Sequence, residues 1–234
     1  MDNTILYKTL TSRGPAADIA VYADASAAPP TLIPCQTHSC NIMEAHGVDN
    51  CFPDTDALIC RIPGIRIGVR TADCVPVVVF APDINAVAAI HAGWKGTLNG
   101  IVTKTICRLK DMGASPAAAH ALIGPCICHE CYEVDSALAD RFRDAGLGSY
   151  VTAAPGTDPL TGVSPDPERP HPDLPGINRH LLIAEGMPAS NIISSGICTR
   201  HTRGANGIFP LPSWRREQGT DTRLLTTIML RELS

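Results

Sequence analysis

Two apolar runs separated by a short turn constrain this chain more than any other feature. Val75 to Ala81 is continuously apolar, and so is Ala86 to Ile90. Between them lies Pro82-Asp83-Ile84-Asn85, with Pro well placed to open a turn. The pattern predicts an antiparallel hairpin. With the turn centred on Pro82-Asp83, Ala81 pairs with Ile84, and Cys74 faces His91 at the open end. Directly opposed residues have Cα atoms roughly 4.5–5.5 Å apart, close enough to share one metal ion.

That pairing matters because Cys74 and His91, with His38, offer two imidazoles and a thiol. They stand in Gln36-Thr37-His38-Ser39, Thr71-Ala72-Asp73-Cys74-Val75-Pro76 and His91-Ala92-Gly93-Trp94-Lys95-Gly96. Three such donors with one open position are how a catalytic zinc is usually held. Gly93 and Gly96 let the backbone turn sharply after His91, or approach a ligand closely. A thiol beside an imidazole is also the pattern of a Cys–His nucleophile, so both readings stand for Cys74.

Around the hairpin, Ile19 to Tyr22, Ala57 to Cys60, Ile65 to Val69, His120 to Ile123, Asn191 to Cys198 and Leu224 to Leu230 read as strands. A further strand is expected to end near Asn41-Ile42, and the first 33 residues read as irregular with short strands. After His91, Leu98, Ile101, Val102, Ile106, Leu109 and Met112 form one helical stripe, with Thr97 as cap and Gly113 as stop. Asp135 caps a helix to Ala145, and Asn178 to Gly186 is another. Residues 154–176 hold seven prolines and read as a surface loop or lid. Strands and helices mix without βαβ alternation. The expected fold is therefore α+β: one domain over 1–234, an α/β sandwich with mixed, largely antiparallel sheets and flanking helices.

Composition narrows the function. A net charge of -4 leaves no basic footprint for nucleic acid or a membrane surface. The N-terminal MDNTILYKTLTSRG is too polar for a signal peptide, and no apolar run reaches the ~18 residues of a membrane span. The protein is expected to be cytoplasmic, a monomer or weak homo-oligomer. In that compartment its ten cysteines are core residues, metal ligands or nucleophiles rather than a disulfide framework.

Other residues carry weaker signals. Arg215 and Arg216 in Ser213-Trp214-Arg215-Arg216 suit recognition of phosphate or another anion, and Lys95 and Arg70 are further cations near the metal segments. Asp73 and Gln36 are candidates to orient substrate, ligand or water. Cys126-Ile127-Cys128-His129-Glu130-Cys131 looks like a metal knuckle. A structural zinc needs four ligands, however, and no second Cys/His pair stands nearby at ribbon spacing, so buried or incidental cysteines are the favoured reading.

Taken together, the segments resemble the laccase-domain family, also called multicopper polyphenol oxidase-like and associated with purine nucleoside phosphorylase activity. The resemblance is ordered along roughly residues 30–230. It runs from Ile33-Pro34-Cys35-Gln36-Thr37-His38-Ser39 through Asp56-Ala57-Leu58 to the Cys74 and His91 motifs. It continues with Ile123-Gly124-Pro125-Cys126-Ile127, Tyr132-Glu133-Val134, Asp173-Leu174, Asn178 and Cys198-Thr199, and ends at Ser213-Trp214-Arg215-Arg216. It implies that His38, Cys74 and His91 are the zinc ligands. It also implies phosphorolysis of adenosine, inosine, guanosine and methylthioadenosine, with adenosine deamination alongside. The substrates would then be a purine nucleoside and phosphate, and Cu(2+) could replace Zn(2+). The chain departs from the family pattern at Lys95, where Arg is usual, and at Asp221-Thr222-Arg223.

Three rival readings accompany this one. A multicopper oxidoreductase needs paired His-x-His ligands, and this chain has eight histidines and no such pair. A Cys–His hydrolase would use Cys74 as nucleophile and His91 as base without metal. A non-enzymatic role in cell-wall quality control would bind zinc without turnover.

Overall fold

The computed structural model describes residues 4–11, 15–47, 51–153, 156–163, 166, 168–204 and 207–232. The hairpin is at its centre, as β6 (Val75–Ala81) and β7 (Ala86–Ala92). Before it come β1 (Thr4–Thr11), β2 (Ala16–Tyr22), β3 (Ile42–Ala45), β4 (Ala57–Cys60) and β5 (Arg66–Thr71). After it come α1 (Trp94–Leu98), α2 (Ile101–Asp111), β8 (His120–Ile123), α3 (Ser136–Phe142), β9 (Val151–Thr152) and β10 (His171–Pro172). The chain continues with α4 (Leu174–Ala184), β11 (Ile192–Ser194), α5 (Trp214–Glu217) and β12 (Leu224–Leu230).

The strands form a six-stranded mixed sheet, β11-β8-β6-β7-β4-β3, and a four-stranded antiparallel sheet, β1-β2-β12-β5; β9 pairs with β10. Among the described strand pairs, the outer pairs β11/β8 and β3/β4 are parallel and the others antiparallel. The architecture is α+β with mixed, largely antiparallel sheets, as the pattern predicts.

Alternation explains why β6 and β7 are apolar throughout. Successive side chains of a strand point to opposite faces, and here both faces are covered. Val78, Phe80, Val87 and Ala89 pack with Ile19, Ile67, Val69 and Ile228 of the four-stranded sheet. Val77, Val79, Ala88 and Ile90 pack instead on Ile101, Val102 and Ile106 of α2 and Leu174 and Ile177 of α4. The result is three layers, sheet on sheet on helices.

The hairpin differs from its expected register. Ala81 pairs with Ala86, and Pro76 with His91. The loop has four residues, because Pro82–Ile84 form a 3-10 turn that Asn85 closes at φ 48°. A slip of two residues preserves the facing of every side chain, whereas a slip of one would reverse it. By this register Cys74 lies opposite Gly93, on the same face as His91.

Other boundaries shift for local reasons. The helix after His91 is two helices, since Gly100 takes φ 74° and starts α2 afresh; Thr97 lies inside α1 rather than capping it. α4 begins at Leu174, because Asp173 accepts from the Gly176 amide and Pro175 suits a first turn. Asp135 caps α3 through the Leu138 amide, and after Phe142 the helix widens into a π-helical turn over Arg143–Leu147 that breaks at Gly146, where φ is 77°. β11 is confined to three residues. β3 starts, rather than ends, at Ile42. The N-terminal region contains an eight-residue strand, β1. In the Pro-rich stretch, residues 154–155, 164–165 and 167 lie outside the described residues; its end supplies β10 and the start of α4.

Phe80 is fully buried between the two sheets. Phe80→Ala is expected to cost about 3–5 kcal/mol of folding free energy, read as a lowered midpoint in urea with little change in slope.

Candidate active site

At the open end of the hairpin, Asp56 organises the surroundings. It precedes β4 and has no exposed surface. One carboxylate oxygen lies 2.6 Å from Nδ1 of His91 and accepts from the His38 amide at 3.1 Å. The other accepts from the Thr37 amide at 3.1 Å, the Ser39 amide at 2.7 Å and the Ser39 hydroxyl at 2.8 Å. The Asp56 carbonyl also accepts from the His91 amide at 2.8 Å. Burial alone would raise the pKa of Asp56, but the hydrogen bonds from His91, Ser39 and Thr37 outweigh it and hold the group well below the usual carboxylate range.

Asp56 thus fixes the His91 imidazole and the backbone that carries His38. It occupies Nδ1 of His91 and leaves Nε2 as that ring's donor. It also gathers the amides of residues 37–39, where His38 adopts φ 63°. The two imidazole centroids are 4.8 Å apart at 67°. His38 Nε2 is 3.7 Å from the Cys74 sulfur, and one donor atom from each of the three residues lies within 4.8 Å of the others. A Cβ on Gly93 would stand 2.8 Å from His38 Cδ2 and 3.0 Å from the Cys74 sulfur. The glycine is therefore required for the three side chains to converge. The donors fit a soft or borderline cation held by three protein groups.

Charge in the site is strongly perturbed. Burial pushes the Cys74 thiol up, but hydrogen bonds from His38 and His91 prevail and bring it down to about 6. Burial disfavours the His91 cation, but Asp56 and Cys74 stabilise it and raise it to about 9.

The triad opens into a cleft of about 1260 Å³ lined by Trp94, Tyr132, Trp214 and four arginines, Arg70, Arg169, Arg215 and Arg223. The guanidinium of Arg70 has no hydrogen-bond or ion-pair partner among the described residues. Arg215 lies 5.5 Å from the Tyr132 ring and donates to the Glu133 carbonyl at 2.8 Å. Arg169 pairs with Glu133 at 3.0 Å. Burial, with the negative charge of the nearby Cys74 thiolate, holds the Tyr132 hydroxyl protonated well above its usual range. The Thr71 hydroxyl is buried in the cleft lining without a partner among the described residues.

Several residues expected to meet substrate have other partners. The Gln36 amide donates to the Arg70 carbonyl and accepts from the Arg70 amide, both at 2.8 Å, and so ties the His38 loop to β5. Asp73, at φ 86°, accepts from the Thr199 hydroxyl at 2.6 Å and the Arg215 amide at 2.7 Å. Both its oxygens anchor neighbouring segments. Ser213 is buried as the cap of α5 and accepts from the Arg216 amide. Arg216 donates to the carbonyls of Thr199, Arg200 and Leu211, pairs with Glu217 and stacks on Phe209. Lys95 is exposed, 5.4 Å from the Trp94 ring, and lies outside the cleft lining.

Sequence reasoning placed Asp56 only within a motif and missed its role. Asp56 lies two residues before Leu58 in an otherwise buried strand entry, and a carboxylate there requires partners. The cysteine knuckle is likewise more than incidental in placement. Cys128 and Cys131 converge with Cys198 and His201, a pair at matching spacing much further along the chain.

A family model described as multi-copper polyphenol oxidoreductase laccase matches residues 17–231. The chain is 35% identical over 195 residues to a purine nucleoside phosphorylase of Deinococcus radiodurans, covering 83% of this chain and 68% of that protein. It is 36% identical over 180 residues to adenosine deaminase RL5 of an unknown prokaryotic organism, covering 72% and 65%. Its fold matches that of the Bacillus licheniformis hypothetical protein YfiH with a TM-score of 0.72 at 28% identity, over 86% of this chain and 74% of that one. It also matches the Neisseria meningitidis protein NMB0706 with a TM-score of 0.76 at 21% identity, over 99% and 100%. No helix among the described residues is long and apolar enough to cross a membrane.

Two outcomes follow from the geometry. Asp56→Asn presents an amide NH2 to the backbone donors of the His38 loop and is expected to cost about 3–5 kcal/mol, measured by denaturant unfolding. In metal-free protein, Cys74 is a thiol below its pKa and a thiolate above it. Its alkylation by iodoacetamide, followed by peptide mass spectrometry, is expected to rise with a midpoint near pH 6, against about 8.5 for an ordinary cysteine.

Proposed function

The chain belongs to the multi-copper polyphenol oxidoreductase laccase family, and from that premise we propose that it is a zinc-dependent purine nucleoside phosphorylase with adenosine deaminase side activity. The observation that carries the reading is the convergence of His38, Cys74 and His91 at the floor of an arginine-lined cleft. The names of its relatives, purine nucleoside phosphorylase and adenosine deaminase, support the same substrate class.

In this reading His38, Cys74 and His91 would hold the zinc, with His91 offering the ring nitrogen that Asp56 leaves free. When bound, zinc supplies Lewis acidity toward a substrate or water oxygen, the chemistry that deamination at a purine carbon needs. Asp56 keeps the remaining His91 proton at Nδ1 and so fixes the tautomer. Phosphorolysis asks for an anion held against the anomeric carbon. Arg70 lines the cleft without a partner for its guanidinium among the described residues, and Arg215 lines the same cleft with its backbone amide fixed by Asp73. A guanidinium with free donors is suited to phosphate. The aromatic rings of Trp94, Tyr132 and Trp214 offer apolar surface to a purine, and Thr71 offers a buried hydroxyl. Gln36, Asp73, Ser213 and Arg216 act as positioning residues. Two imidazoles and a thiol suit a single ion; a four-copper cluster needs more histidines than converge here. Copper in place of zinc would satisfy the same donors.

The test is incubation of the zinc-loaded protein with adenosine, with and without phosphate, following adenine, inosine and hypoxanthine. Phosphate-dependent release of adenine is the expected outcome; inosine formed without phosphate, as the sole product, overturns phosphorolysis as the main reaction. Cys74→Ala is expected to lose zinc and at least ~100-fold in activity. Arg70→Ala is expected to raise the KM for phosphate about 10-fold with a smaller change in kcat.

A further inference from the structure

A second group of soft donors lies behind the cleft wall and plays no part in the chemistry above. We propose that Cys128, Cys131, Cys198 and His201 bind a second zinc ion in a closed, structural site that braces the floor of the cleft.

Two knuckles of identical spacing supply the donors: Cys128-x-x-Cys131 and Cys198-x-x-His201. In the first, a 3-10 turn over His129–Cys131 brings Cys131 back to Cys128, with the Cys131 amide donating to the Cys128 carbonyl at 3.1 Å. In the second, the Thr202 amide donates to the Cys198 carbonyl at 3.1 Å. Backbone pairing sets the two side by side. Cys126 bridges Cys198 in parallel, the Cys126 amide donating to Ile197 at 3.2 Å and the Thr199 amide to Cys126 at 3.0 Å.

The side chains then converge on one point. His201 Nδ1 is 3.7 Å from the Cys128 sulfur and 3.2 Å from the Cys131 sulfur, and one donor atom from each of the four residues lies within 4.8 Å of the others. Tetrahedral zinc with ordinary bond lengths separates a sulfur and a nitrogen ligand by about 3.5 Å. Cys131 and Cys198 are buried, at 3% and 2% exposure. Four protein donors leave no open position, the mark of a structural rather than catalytic site.

The surroundings match a thiolate cluster better than a packed set of thiols. The Cys128 amide points at the Cys198 sulfur at 3.4 Å, and the Arg200 guanidinium lies 3.5 Å from the Cys131 sulfur. Three thiolates around a dication carry one net negative charge, and Arg200, which also pairs with Asp158 at 2.8 Å, stands beside it. Such outer contacts are what a thiolate site uses to tune and orient its ligands.

The knuckles bear directly on the cleft. Thr199, between Cys198 and His201, donates to Asp73 at 2.6 Å and accepts through its carbonyl from Arg216 at 2.8 Å. The Ile127 amide donates to the Asp73 carbonyl at 2.9 Å. Tyr132 follows Cys131 directly. Cross-linking the two segments therefore fixes the residue before Cys74 and the tyrosine of the cleft wall.

The experiment is metal counting by plasma mass spectrometry on protein purified without added metal. Wild type is expected to hold two zinc ions per chain, Cys74→Ala one, and Cys128→Ser/Cys131→Ser one. Wild type with a single zinc that Cys74→Ala removes completely overturns the proposal, as does a Cys128–Cys131 disulfide in freshly purified protein. Should the double serine variant not fold, cobalt loading of the Cys74→Ala protein decides. One equivalent of cobalt with the charge-transfer and d–d absorption of a tetrahedral thiolate site is expected, and its absence overturns the site.

Discussion

The Asp56 carboxylate is the constraint on which the candidate site depends. A carboxylate with no exposed surface must be fully satisfied by hydrogen bonds or it neutralises. Asp56 is satisfied by the amides of Thr37, His38 and Ser39, the Ser39 hydroxyl and the His91 ring. These donors come from segments far apart in sequence, so the requirement to satisfy one anion folds the His38 loop onto the strand that ends in His91. The loop has no regular structure of its own to hold it there, and His38 takes a left-handed backbone that few non-glycine residues adopt. The same anion sustains the His91 cation against burial, and the His38 and His91 imidazoles together lower the Cys74 thiol. Asp56 therefore sets the charge of the triad in part, through His91, as well as much of its geometry.

The hairpin supplies the other half of the placement, through parity more than through exact pairing. Cys74 and His91 share a face because residues of one parity in β6 and β7 point at the four-stranded sheet. A loop two residues longer than a tight turn leaves that parity intact. It does move the partner of Cys74 from His91 to Gly93. The missing Cβ there becomes the space into which His38 and Cys74 fit. A site assembled from a strand end, a strand start and a loop needs one position without a side chain, and the register puts it between the donors.

What was legible in the sequence divides along the same physical line. Elements with unbroken apolar runs or clear alternation, such as β4, β6, β7, β8 and β12, stand where the pattern puts them, because burial on one or both faces dictates their composition. β1 was not legible. It lies at the edge of its sheet, and its sequence mixes polar and apolar residues. The convergence of His38, Cys74 and His91 was readable, but Asp56 was not, since nothing in the spacing of a single acidic residue announces which distant amides it will collect. The pairing of Cys128 and Cys131 with Cys198 and His201 escaped for a related reason. Ribbon spacing is a local signal, whereas these knuckles meet through the long-range Cys126–Cys198 bridge.

Residues that look like substrate contacts in sequence divide by whether their polar atoms already have protein partners. Gln36 matches both backbone groups of Arg70. Asp73 matches Thr199 and Arg215. Arg216 donates to three carbonyls and a carboxylate. The Asp73 contacts and the carbonyl contacts of Arg216 are buried or partly buried, and a ligand would have to break them at a cost of about 1–3 kcal/mol; the Gln36 contacts with Arg70 are exposed. Arg70 and Thr71, adjacent on β5 and lining the same cleft, carry no such prior commitment. Arg70 can therefore bind a ligand without first losing a protein contact, whereas the Thr71 hydroxyl is buried beneath the cleft surface. The held residues still matter, because they keep these two in place. Gln36 fixes the backbone of Arg70, and Asp73 fixes both the segment before Cys74 and the start of α5. The cleft thus carries the uncommitted Arg70 guanidinium on a frame of committed residues, and Asp73 is the point where that frame meets both groups of soft donors.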